Sequence, residues 1–370
     1  MQIFADENMP LVQQFFADSG TVTLFDGRNV SAAQLKDADV LLVRSVTQVN
    51  ESLLAENSKL CFVGTATIGT DHVDQQYLAR RNIVFSSAPG CNAQSVMEYV
   101  LSSLWLLAER YQWQLADKVV AVVGVGNIGR RLVQALQALN IQVLQCDPVR
   151  GANEPDFPHT DFAEVCRHAD VISFHTPLTK NGPDASYHML AKPQLLGIKP
   201  DCAIINASRG AVIDNSALLE SQREIRRPLV LDVWENEPHI LTDLLPYTDI
   251  ATAHIAGHSV EGKARGTEML YQACTKLQQK PARQTLANLL AVPAVEKVQI
   301  SPNFGLPDVQ NLARLLYDVQ RDDALFRNYL HSNGFDWLRK HYPARREFSS
   351  LQLSGKVVPD YLQQLGFSLA

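Results

Sequence analysis

Short apolar runs alternate with amphipathic stretches through the first quarter of the chain. Residues 2–5, 22–25, 40–43, 61–64 and 83–85 read as strands. Segments such as 11–17, closed by Gly20 just past a helix C-terminus, read as helices between them. That alternation predicts βα units on a parallel sheet. Residues 92–109 are long and apolar on one face and predict one long helix. A second alternating series follows, with strands at 119–123, 142–146, 171–173, 203–205, 230–231 and 250–252. Residues 259–279 read as another long helix, with Pro281 as its stop. Two α/β units with long helices between them predict a bilobal protein with a cleft where the helices cross. Because the second series is inserted between those helices, residues 259–279 are expected to return to the first lobe.

Beyond about residue 286 the texture changes. Pro293, Pro302 and Pro307 punctuate a short apolar run at 298–300, and a charged helix is predicted over 308–329. Arg345-Arg346-Glu347 and an apolar C-terminal stretch complete a segment with no glycine-rich loop, expected to form an appended small α+β unit. Leu315, Leu316, Tyr317, Phe326, Tyr329 and Trp337 interleave with charges there, as in an element that packs against a neighbour.

Composition narrows the function classes. The 370 residues carry 33 Lys+Arg against 39 Asp+Glu, a net charge of −6, which argues against nucleic-acid binding. A charged fraction of 19% without low-complexity tracts argues against disorder. No apolar run approaches the ~18 residues of a membrane span, and the acidic start Asp6-Glu7 is unlike a signal peptide. The six cysteines are scattered without a CxxC pair, so reduced cytoplasmic thiols are expected, with no metal site.

The chemistry begins after the strand at 119–123. Gly124-Val125-Gly126-Asn127-Ile128-Gly129 opens a helix, and a further strand ends at Asp147, 18 residues past Gly129 (147 − 129). Strand, GxGxxG, helix and distal acid in that order are a dinucleotide-binding fingerprint. Asp147 suits the adenosine ribose hydroxyls and would repel a 2′-phosphate, which favours NAD over NADP. Downstream, Arg209, Glu237 and His254 stand where strands should end, where open α/β sheets place their ligands.

These stretches, with Asp232…Glu237-Pro238 and His254-Ile255-Ala256-Gly257, resemble the D-isomer-specific 2-hydroxyacid dehydrogenase family over about residues 1–280. Further blocks, among them Asp6-Glu7-Asn8-Met9-Pro10, Arg44-Ser45-Val46-Thr47 and Arg345-Arg346-Glu347-Phe348, are similar to a branch of that family that oxidises a phosphorylated 2-hydroxy acid in vitamin B6 synthesis. The resemblance implies two doubly wound parallel-sheet lobes, flavodoxin-like for substrate and Rossmann for NAD, plus a small C-terminal α+β domain. Its implied bounds are 1–95 with 259–285 for the substrate lobe, 96–258 for NAD, and 286–370 for a domain that makes a homodimer. It implies His254 as acid/base with Glu237 beside it, and Arg209 on the substrate carboxylate. Asn127, Ile128, Thr176, Ser208, Asp232 and Gly257 are implied NAD contacts beside the three glycines and Asp147. Ser45, Thr67 and His258 are implied substrate contacts, and Arg44, beside Ser45 at the end of the third strand, is the candidate for the second cationic site that a phosphorylated acid needs. His258 departs from the expected tyrosine and Ser208 from a common cysteine; His175 reads as structural. A 3-phosphoglycerate dehydrogenase and a non-catalytic NAD-sensing corepressor remain as alternatives.

Overall fold

A computed structural model describes all 370 residues and divides into two units, Met1–Asn92 with Ser259–Val292, and Ala93–His258 with Pro293–Ala370. In the first unit β1 (Gln2–Asp6), β2 (Thr21–Phe25), β3 (Val40–Val43), β4 (Phe62–Thr65) and β5 (Val84–Ser86) form a parallel sheet in the order β2-β1-β3-β4-β5. β3 and β4 are buried at every position, which is why they read as continuous apolar runs. The order reverses at β1, so a ligand crevice belongs at the carboxyl ends of its neighbours. The Val260–Leu277 helix covers one face, with Leu270, Tyr271 and Cys274 in one core with Ile3, Phe15 and Phe62. Ser259 caps that helix by accepting from the Gly262 N–H. The predicted helix at 11–17 shrinks to Val12–Phe15, because Leu11 enters it in a left-handed conformation at φ 58°.

The second unit holds β6 (Val119–Val123), β7 (Gln142–Cys146), β8 (Val171–Phe174), β9 (Ala203–Asn206), β10 (Leu229–Leu231) and β11 (Ile250–Ala251). All pair in parallel in the order β11-β10-β9-β8-β6-β7, so the direction reverses at β6. The Ala93–Tyr111 helix packs against this sheet and is buried almost all round, polar Ser95, Glu98 and Ser103 included.

The C-terminal segment supplies the cover. It has its own parallel sheet, β12 (Lys297–Gln299), β13 (Gln352–Ser354) and β14 (Ser368–Leu369). Three short strands enclose too little to stand alone. Ile300, Leu312, Phe348, Leu353 and Phe367 therefore share one core with Val100 and Leu104 of the long helix and Leu132 of the nucleotide helix. The single helix expected over 308–329 is two, Val309–Arg314 and Val319–Asn333, the second capped by the Asp318 carboxylate on Gln320 N. Of the apolar residues that interleave with charges, Tyr317 and Phe326 are buried, whereas Leu315, Tyr329 and Trp337 are exposed. All six cysteines are free thiols, and no helix is long and apolar enough to cross a membrane.

Candidate active site

β6 turns at once into a helix, and the three glycines do different work there. Gly124 sits at φ +88°, and a Cβ on it would lie 2.8 Å from the His175–Thr176 peptide. A Cβ on Gly129, in the first turn of the Asn127–Ala138 helix, would meet the Gly124 carbonyl oxygen at 2.1 Å. Around Gly126 nothing lies within 4 Å of that position. Two glycines serve the fold, and the third leaves an open approach to first-turn N–H groups, those of Asn127 and Ile128, that have no intrahelical acceptor.

Asp147 ties this turn to the end of β7 by accepting from Val125 N (2.9 Å) and Arg150 N (3.0 Å). The Arg150 guanidinium is held by Glu154, donates to Val125 O and lies 4.2 Å over the Phe157 ring, so it is already engaged beside the ribose-binding acid. Thr176 Oγ1 is buried at the same turn with no hydrogen-bond partner. That orphaned hydroxyl and the cradle at Gly126 fit the sugar–diphosphate of a dinucleotide. His175 shares a 2.9 Å hydrogen bond with Ser173 Oγ, and burial pushes its pKa down to about 3, so it is a neutral packing residue.

Three loops after β9, β10 and β11 carry the predicted catalytic groups. Asn206 closes β9 and organises the first: its Oδ1 accepts from Ser208 N and Oγ, and its Nδ2 donates to Arg209 O. Arg209 is half-buried and donates Nη1 to Ser208 O at 2.8 Å. A Cβ on Gly210 would lie 2.0 Å from the Trp234 carbonyl, so the Arg209 loop rests directly on the loop that carries Glu237.

Glu237 accepts from Trp234 N through one oxygen and contacts His254 Nδ1 at 2.8 Å through the other. Burial pushes its carboxyl up, but the His254 and Trp234 hydrogen bonds outweigh that and hold it below the usual range. An ionised carboxylate only accepts, so His254 Nδ1 carries a proton, and in the neutral imidazole Nε2 then holds the lone pair. The His254 side chain is 33% exposed, enough to reach a substrate.

Asp232 shapes the turn that presents His254. Its carboxylate is buried and accepts from Thr252 Oγ1 (2.7 Å), Ile255 N (2.7 Å) and Ala256 N (3.0 Å), leading on to half-buried Gly257. Burial pushes its pKa up against those donors. Because Thr252 Oγ1 spends its proton on Asp232, it accepts from the Tyr99 hydroxyl at 2.9 Å. His258 meets the Tyr342 ring edge-on at 5.9 Å.

Arg44, Ser45 and Thr67 belong to the other unit, just past the carboxyl ends of β3 and β4. Thr67 Oγ1 donates to Gly69 O (2.9 Å) and lies 2.7 Å from Thr65 Oγ1, itself 2.9 Å from His72 Nε2. With the Thr67 proton on Gly69, Thr65 donates to Thr67 and accepts from His72, which burial keeps neutral. Asn206, Tyr99, Thr65 and His72 were not singled out in the sequence. Asn206 alone had a signal there, a polar residue closing an otherwise apolar strand.

A family model described as D-isomer specific 2-hydroxyacid dehydrogenase, NAD binding domain, matches residues 92–256, and one described as a domain of unknown function (DUF3410) matches 289–366. The chain is 51% identical over 372 residues to the erythronate-4-phosphate dehydrogenase of Pseudoalteromonas translucida, covering 100% of both. It is 49% identical to the enzyme of the same name from Psychromonas ingrahamii, covering 100% of this chain and 97% of that one. Among solved structures, the NAD+-bound 3-phosphoglycerate dehydrogenase of Entamoeba histolytica is similar in fold at a TM-score of 0.64 and 20% identity, covering 77% of this chain and 98% of that one. The chain belongs to the erythronate-4-phosphate dehydrogenase family and carries the NAD-binding domain of the D-isomer specific 2-hydroxyacid dehydrogenases.

Proposed function

We propose that the protein oxidises 4-phospho-D-erythronate to (R)-3-hydroxy-2-oxo-4-phosphooxybutanoate with NAD, a step of vitamin B6 synthesis in the cytoplasm. The observation that carries the chemistry is the Glu237–His254 pair, with Nδ1 committed to a carboxylate and Nε2 left to accept a proton. The full-length likeness to enzymes named for erythronate 4-phosphate supports the substrate.

NAD, when bound, supplies the acceptor for the hydride from C2. His254 takes the C2 hydroxyl proton at Nε2, and the Glu237 carboxylate steadies the imidazolium that forms. Arg209 binds the substrate carboxylate and polarises the oxygen that becomes the ketone, with a planar fork suited to two oxygens. In reduction His254 returns the proton. Asp147, Thr176, Ser208, Asp232 and Gly257 with the 124–129 turn serve the cofactor. Arg44, Ser45, Thr67 and His258 serve the substrate, Arg44 as the cation for its phosphate.

The test is NADH formation with 4-phospho-D-erythronate, 3-phosphoglycerate and D-lactate side by side. A clear preference in kcat/KM for the four-carbon phosphorylated acid is expected, and equal or better use of either competitor sinks the substrate assignment. A homodimer through the C-terminal segment belongs to the same reading, supported by exposed Leu315, Tyr329 and Trp337. Sedimentation of Trp337→Glu should then give a monomer; a wild-type dimer would place the interface elsewhere.

A further inference from the structure

His254 stands in the left-handed region at φ 56°. For a residue with a Cβ that conformation is strained and persists only where its surroundings fix it. Asp232 fixes it from within the nucleotide-binding fold, through His254 N to Asp232 O at 2.7 Å and the N–H groups of Ile255 and Ala256 on its carboxylate. Two further clamps come from the C-terminal segment. On one side the buried Asp323 carboxylate accepts from Ala251 N at 2.8 Å, closing the outer edge of β11 three residues before His254. On the other side Arg345 donates Nη1 to Ala256 O at 3.1 Å, two residues after it.

Neither clamp is an incidental contact. Asp323 is itself gripped by Arg327, whose Nη2 donates to Thr248 O at 2.6 Å, so the Val319–Asn333 helix holds both the strand and its approach. Arg345 is 4% exposed, donates Nη2 to Ser95 O at 2.7 Å, and lies 3.4 Å over the Tyr317 ring and 3.4 Å from Glu98. A guanidinium taken that far out of water stays only because fixed acceptors receive it. One of those acceptors is the backbone of the His254 turn.

We propose that Asp323 and Arg345 are positioning residues for His254, so that the C-terminal segment completes the catalytic turn of its own chain. The inference rests on the reading of His254 as acid/base. A displacement of about 1 Å in a catalytic group can cost up to about 100-fold in rate, so losing one clamp should lower kcat by about 10- to 100-fold. Binding of NAD should stay within about twofold when the Asp323 clamp is lost, because that clamp on Ala251 N lies at the other end of the turn from Gly257.

The experiment uses the full-length enzyme with Asp323→Ala, Asp323→Asn and Arg345→Lys. It reads kcat and KM for 4-phospho-D-erythronate, NAD affinity by direct titration, and the proton NMR signal of the His254 Nδ1–H, assigned by its absence in His254→Ala. Asp323→Ala should lose kcat with NAD affinity held and the His254 signal shifted or broadened; Arg345→Lys, whose clamp on Ala256 O adjoins Gly257, should lose kcat and weaken NAD binding as well. Asp323→Asn, whose amide oxygen still accepts from Ala251 N, should recover most of the rate. A folded Asp323→Ala with wild-type kcat and an unmoved His254 signal would overturn the proposal, as would an Asp323→Asn no better than Asp323→Ala. If Arg345→Lys does not fold, the Asp323 pair decides. His254→Ala with wild-type turnover would instead remove the reading beneath it; an inactive His254→Ala beside a normal Asp323→Ala would remove this inference alone.

Discussion

The nucleotide turn and the His254 turn are built by opposite means. Everything that shapes the first lies between Val119 and Thr176 and is dominated by backbone geometry: a left-handed Gly124, a Gly129 with no room for a methyl group, and Asp147 bonded to Val125 N. The second depends on Tyr99, Asp232, Glu237, Asp323 and Arg345, drawn from almost the whole length of the chain. A site that only has to present N–H groups can be made by one βα unit. A site that must hold an imidazole in a strained conformation recruits partners wherever the fold brings them.

Substitutions at the glycines separate fold from ligand within the first turn. Gly129→Ala drives a methyl group into the Gly124 carbonyl and should cost roughly 1–3 kcal/mol of stability or more, as overpacking does. Gly126→Ala meets nothing and should melt like wild type while losing about tenfold in NAD affinity, about 1.4 kcal/mol. Thermal melts and NAD titration check both. Similar behaviour of the two variants would mean the turn is not divided in this way.

At the second turn the effect is electrostatic. Glu237 is held below its ordinary value near 4.5, so its contribution to stability is present above that pH and is lost as pH falls through the folded value. Glu237→Gln should cost about 1.5 kcal/mol at neutral pH, the scale of a charged hydrogen bond. Its deficit against wild type should shrink on acidification below about 4.5 in denaturant titrations. A deficit that grows there would reverse the assignment.

How much was legible follows the same division. The strands of both sheets, the two long helices and the whole nucleotide turn could be read because period, glycine placement and distal acid are local signals. Arg209, Glu237 and His254 could be read because each follows an apolar strand. The C-terminal segment could be read as a small α+β unit but its packing could not, since its burial depends on the Ala93–Tyr111 helix about 250 positions earlier in the chain, as in the Arg345–Ser95 hydrogen bond. Tyr317 looked like a surface aromatic because nothing nearby in sequence announces the guanidinium packed on its ring. Nothing local in the predicted charged helix shows that Asp323 closes a strand edge.

A dependence on pH sharpens that last point. Burial pushes the Glu98 carboxyl up, against the pull of Arg345 and with a push from Glu347. The folded protein therefore keeps a proton that the unfolded chain has released above pH 4.5, so stability falls as pH rises from there toward the folded value. Glu98→Gln should flatten that fall, a slope that a single proton limits to about 1.4 kcal/mol per pH unit. An unchanged slope would mean that Glu98 does not carry the proton.

Single-turnover NADH formation by His254→Ala, with NAD and 4-phospho-D-erythronate both saturating, bears most directly on the central claim. If His254 Nε2 takes the hydroxyl proton, the rate should fall by about 10²–10⁴ relative to wild type, with NAD affinity unchanged. A His254→Ala enzyme that forms NADH at the wild-type rate would contradict the assignment of the proton to this imidazole.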